Sequence, residues 1–83
     1  MSPKFKKEEQ NNLIKLGSKI RVFRLSKGWS QERLAEECSL DRTYVSSVER
    51  GERNIGINNL IRIADALKVA AVELINFHKS KSN

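Results

Sequence analysis

The chain has 83 residues, room for one domain with a modest core, and a domain this small gains stability readily by pairing with a second copy. Sixteen Lys and Arg against ten Asp and Glu give a net charge of +6, which favours a polyanionic partner over an acidic substrate. With one cysteine, one histidine and no long apolar run, the composition excludes an internal disulfide, a Cys/His metal cluster, any evident cofactor and a membrane span, so the chain reads as cytoplasmic.

Residues 1–11 and 79–83 are polar and Lys-rich, and they read as solvated tails around a domain over 12–78. Within it, Gly28, Gly51 and Gly56, with Asn and Ser around them, divide a helical pattern that shows no strand-like alternation. The predicted class is all-α, with five helices. The first spans about Asn12 to Lys27, where Leu13, Leu16, Gly17, Ile20 and Phe23 fall on one stripe. Arg24 projects into that stripe and needs a carboxylate from elsewhere in the fold. The second helix is capped by Ser30, opens with Gln31 and Glu32, buries Leu34, Ala35 and Cys38, and stops near Cys38. Cys38 is read as a small core residue and His78 as an exposed one.

Ser39-Leu40-Asp41 forms a tight connection, and the Asp41 carboxylate caps a third helix from Arg42 to Arg50 that Gly51 ends. Tyr44, Val45 and Val48 share one arc of this helix, while Arg42, Thr43, Ser46, Ser47 and Arg50 share an acid-free arc opposite. Glu49, at the edge of the buried arc, is the expected partner of Arg24. A polar loop from Glu52 to Gly56 leads to a fourth helix over Ile57–Lys68, with Leu60, Ile63, Ala64 and Leu67 inward and Ile61 left over. The fifth, over Ala71–His78, spreads Val72, Leu74, Ile75 and Phe77 around more circumference than one buried face requires, which suggests a partner subunit.

Two short helices joined by a three- to four-residue turn, the second carrying small polar and basic residues outward, form the helix-turn-helix arrangement. Arg42 is suited to bidentate hydrogen bonds with guanine, and Thr43 and Ser46 to a hydrogen bond or a thymine methyl. Arg50, Arg53 and Asn54 would hold the phosphate backbone at the groove edge. Tyr44 has two readings: a half-buried core ring, or a hydroxyl reaching a phosphate. Ser46 and Ser47 have a second reading too, as small residues that shape the groove-facing surface without reading bases.

From Gln31 to Glu49 the sequence resembles the Cro/C1-type (XRE) helix-turn-helix family. The flanking Ile20-Arg21-x-x-Arg24-x-x-x-Gly28 and Leu60-x-x-Ile63-Ala64-x-x-Leu67 patterns extend the resemblance over nearly the whole chain. Ser39 departs from the glycine usual in the family's turn. The resemblance implies a lambda-repressor-like fold in which Gln31 touches a phosphate, Arg42, Thr43 and Ser47 face base edges, and Arg24 pairs with Glu49. Within the family, Leu40-Asp41-Arg42-Thr43-Tyr44-Val45-Ser46 and Val48-Glu49-Arg50-Gly51 resemble the controller proteins of restriction-modification systems, and the Arg-Thr-Tyr start is shared with phage-type repressors.

One recognition helix covers only a few base pairs, so double-stranded DNA with a palindromic operator and a homodimer are the expected partners. The expected interface is Val72, Ile75 and Phe77 of the fifth helix, with Ile61. A dimer over a promoter would exclude RNA polymerase and one just upstream would recruit it, which makes the polymerase a further candidate partner. An antitoxin that neutralises a partner toxin is the rival reading. An enzyme is not expected, since the sequence has no paired carboxylates, catalytic triad or phosphate-cradling loop. Scarce aromatic residues disfavour single-stranded RNA.

Overall fold

Side-chain caps set two of the five helix starts in the computed structural model, which describes residues 6–77. Ser30 Oγ accepts the Arg33 N–H at 3.0 Å and opens α2 (Gln31–Cys38); Asp41 Oδ2 accepts the Thr43 N–H at 2.8 Å and opens α3 (Arg42–Glu49). They are joined by Ser39-Leu40-Asp41, in which Ser39 adopts the left-handed conformation (φ 57°) and the Leu40 N–H reaches the Ala35 carbonyl at 2.9 Å. The family's usual glycine would meet that conformation without steric cost.

α1 (Lys7–Ser26) begins five residues before the expected Asn12, so Lys7–Asn11 are helical and not a tail. Glu8 and Glu9 sit in its first turn, where they complement the helix dipole, and Glu9 Oε1 accepts the Lys6 N–H at 3.1 Å. The run has no apolar periodicity because most of its side chains face solvent. After Gly51 (φ 74°) and the Glu52–Gly56 loop come α4 (Ile57–Leu67) and α5 (Ala71–Ile75). α5 ends three residues before the expected His78. Phe77 leaves the helix and packs back on the core, while His78 and the lysines at positions 4, 79 and 81 lie outside the described residues.

The core draws on all five helices: Leu16 and Ile20 of α1, Leu34, Ala35 and Cys38 of α2, Val45 and Val48 of α3, Leu60, Ile63, Ala64 and Leu67 of α4, and Leu74 of α5. α3 packs on both α1 and α2, α4 supports α2, and α5 closes the bundle against α1 and α4. The outer side of α3 is thereby left uncovered. Where α1 crosses the end of α3, Gly17 lies so close that an added methyl would run into the Val48 and Glu49 carbonyls.

Those carbonyls are helix backbone and cannot swing aside, so Gly17→Ala should force the two helices apart. Chemical denaturation is expected to show a loss of about 1–3 kcal/mol; unchanged stability would mean that the crossing is looser than described.

Candidate nucleic-acid interface

α3 divides into two faces. Val45 and Val48 are fully buried, whereas Arg42, Thr43 and Arg50 are exposed and Ser46 is half-buried beside them. Arg42 and Thr43 occupy the first turn of the helix, which the Asp41 carboxylate caps. Ser46 Oγ takes a hydrogen bond from Arg50 Nη1, and Arg50 Nη2 lies 3.1 Å from Glu52 Oε1 in an exposed ion pair. An exposed pair of this kind is worth little, so phosphate oxygens can compete with Glu52 for the guanidinium.

Ser47 does not join this face. It stands at the edge of the polar arc, where the returning chain covers it: the Glu52 N–H bonds the Ser47 carbonyl at 3.0 Å, and Arg53 Nε approaches Ser47 Oγ at 3.4 Å. Its hydroxyl donates to the Tyr44 carbonyl at 2.8 Å and the residue is buried. The expected Ser47 base contact thus falls on a residue that this fold buries. Tyr44 is half-buried; its hydroxyl accepts from Asn59 Nδ2 at 3.1 Å, and the Arg53 guanidinium lies over its ring, 5.0 Å from the centroid. Asn54 is exposed in the loop beyond.

Behind the face stands a buried charge cluster. Arg24 Nε and Nη2 donate to the two Glu49 oxygens at 2.6 and 3.0 Å, and the side chains are only 8% and 2% exposed. Arg24 Nη1 also donates to the Trp29 carbonyl at 2.8 Å. Gln31, expected at a phosphate, spends one amide hydrogen on Glu49 Oε1 at 3.0 Å. It remains half-buried at the start of α2, where Arg24, Ser30, Gln31, Glu32 and Arg42 line a shallow depression. Every buried side-chain nitrogen and oxygen among the described residues has a partner.

On α4 and α5, Ile61, Val72 and Ile75 are exposed, as is Ile57, which the sequence reading did not single out. Phe77 is half-buried, with Lys15 Nζ over its ring at 5.9 Å. Burial pushes the Cys38 thiol above its usual range, and Sγ donates to the Leu34 carbonyl, so it behaves as core. No helix among the described residues is long and apolar enough to cross a membrane.

The helix-turn-helix family model matches residues 20–74. The chain belongs to this family. Among its helix-turn-helix relatives, a hypothetical transcription factor of Neisseria meningitidis is 52% identical over 68 residues, 82% of this chain, which spans 64% of that protein. Control protein C.BamHI of Bacillus amyloliquefaciens is 48% identical over 69 residues, 81% of this chain and 85% of that one. Among solved structures, the restriction-modification controller protein C.AhdI of Aeromonas hydrophila superposes with a TM-score of 0.76 at 45% identity, covering 77% of this chain and 97% of that one. The C.Esp1396I controller, solved as a tetramer with its natural 35 base-pair operator, has a TM-score of 0.70 at 42% identity over 77% of this chain and 84% of that one.

Two features of this helix-turn-helix escaped the sequence reading. Asn59 holds the Tyr44 hydroxyl from α4, and Gln10 of α1 reaches the Gly51 carbonyl at the end of α3. Neither contact has a local signature, because the partners are 15 and 41 residues apart.

Removing either partner of the central pair strands a buried charge. Glu49→Ala and Arg24→Ala should each cost about 3–5 kcal/mol in denaturation experiments. Combining Arg24→Met with Glu49→Leu should cost far less than the sum of the single losses, and strict additivity would show that the pair does not couple.

Proposed function

We propose that this protein is a transcription regulator that binds a palindromic operator as a homodimer, with α3 in the major groove, and that it is the controller of a restriction-modification system. The observation that carries the reading is the uncovered, acid-free face of α3, with Arg42 and Thr43 exposed on a helix that Glu49 and two valines lock to the body. Similarity to C.BamHI and C.AhdI, and the operator in the C.Esp1396I complex, support it.

On this reading Arg42 donates a bidentate pair to a guanine, and Thr43 and Ser46 meet neighbouring bases. Arg50, Arg53, Asn54 and the start of α2 at Gln31 hold phosphates on either side, fixing the register that lets the bases be read. The Tyr44 ring supports Arg53, so its contribution to binding passes through that guanidinium. The second subunit docks through Ile61, Val72 and Ile75, with Phe77 at the margin, and sets two recognition helices about one turn of duplex apart, ~34 Å. DNA in the cytoplasm is the natural target, and RNA polymerase is the partner that an operator beside a promoter would bring into contact.

Arg42→Ala should weaken binding to a selected operator by about 1–3 kcal/mol and relax preference at one or two base pairs per half-site. Equal losses on all sequences would make Arg42 a phosphate contact. Affinity should fall steeply between ~50 and ~200 mM salt, and Arg50→Ala should lower the slope of log K against log salt by about one. Ile75→Glu should give a monomer in sedimentation and abolish tight operator binding; a dimer that survives this change would place the interface elsewhere.

A further inference from the structure

The loop that carries Arg53 and Asn54 rests on α1. Gln10 Nε2 donates to the Gly51 carbonyl, which α3 leaves without a helical partner. Gly51 is buried with φ 74°, and an added Cβ there would strike the Ile14 backbone and side chain. Three residues further on, Asn54 lines a shallow depression with Glu9, Asn12 and Leu13 of α1. The first turns of α1 thus touch the loop at Gly51 and share a depression with Asn54. Gly51 and Glu52 are also tied to α3, through their N–H groups and the Val48 and Ser47 carbonyls at 3.0 Å each. The helix-turn-helix match begins at residue 20, beyond all of these α1 contacts.

From this juxtaposition we infer that Gln10 is a positioning residue for DNA binding, holding the Gly51 turn so that Arg53 and Asn54 meet the phosphate backbone in register with α3. The inference rests on the DNA-binding reading above and adds a part of the chain outside the matched segment. A buried carbonyl with a single side-chain donor has two states, bonded or stranded, and the stranded state is unfavourable. Gln10 therefore removes freedom from the start of the loop, where the other hydrogen bonds, from the Gly51 and Glu52 N–H groups, run to α3. A loop held in place before DNA arrives loses less entropy on binding.

The test uses the full chain in two settings. In the free protein, hydrogen exchange of the Gly51 and Glu52 amides should speed up roughly two- to tenfold in Gln10→Ala, the equivalent of one ordinary hydrogen bond, and return towards wild type in Gln10→Lys, which restores a donor. For binding, the probe is a duplex that the wild-type protein selects from a pool of random sequences. On it, Gln10→Ala should weaken binding and lower the salt slope by about one, the mark of a lost phosphate contact, while base preference at the Arg42 positions stays unchanged. A lower melting temperature with wild-type exchange ratios and an unchanged salt slope would show a merely structural glutamine and overturn the inference. If the wild-type protein selects no duplex, the DNA-binding reading itself falls and this role falls with it; if it selects one that Gln10→Ala binds equally well, only the inference falls.

Discussion

Glu49 is the point on which the helix-turn-helix is assembled. It belongs to the last turn of the recognition helix, yet its carboxylate is withdrawn from water and satisfied by Arg24 from α1 and Gln31 from α2, while the same guanidinium holds the Trp29 carbonyl in the connection between those helices. Withdrawing two opposite charges from water is costly, and an apolar pair of the same shape could serve stability as well or better. What an apolar pair cannot supply is direction. Three donors converge on two oxygens, so rotation of α3 against its supports would break a charged hydrogen bond and leave its partner buried. The pair therefore fixes the angle at which α3 leaves the body, which is the quantity a groove-reading helix must control.

Packing and electrostatics divide the remaining work between the two sides of α3. Its inner side is made of Val45 and Val48, with Gly17 letting α1 approach closely enough to define the crossing. Its outer side keeps Arg42 and Thr43 free and places Arg50 and Arg53 within reach of exchangeable partners, the Glu52 carboxylate and the Tyr44 ring. Trp29, covered by Lys27 and Arg33 at 5.3 and 4.9 Å, closes the α1–α2 corner with cations on both sides of the connection. Positive charge is thus distributed around the helix-turn-helix and not confined to the reading face.

Most of this architecture was legible because its signals are local. Ser30 and Asp41 announce two helix starts, periodicity assigns the core faces of α1 to α4, and an arginine on an apolar stripe demands a carboxylate that only Glu49 is placed to give. The failures share one cause, which is that tertiary contacts leave no local trace. Lys7–Asn11 look like a tail because their polar side chains hide a helical turn, and the long-range bond from Gln10 joins residues 41 apart. Ser47 looks outward on a helical wheel, but the wheel does not contain the loop that folds over it. α5 stops at Ile75, and Phe77 beyond it packs back on the core, a contact that helical periodicity does not encode.

The proposed function requires α3 to read base edges from the major groove in two symmetric half-sites. Methylation interference on the selected duplex tests it directly, because a methyl on guanine N7 obstructs the major groove and leaves the minor groove open. Interference should fall at guanine N7 in two half-sites centred about 10 base pairs apart and related by two-fold symmetry. Interference confined to adenine N3 in the minor groove, or N7 methylation that binding ignores, would contradict it.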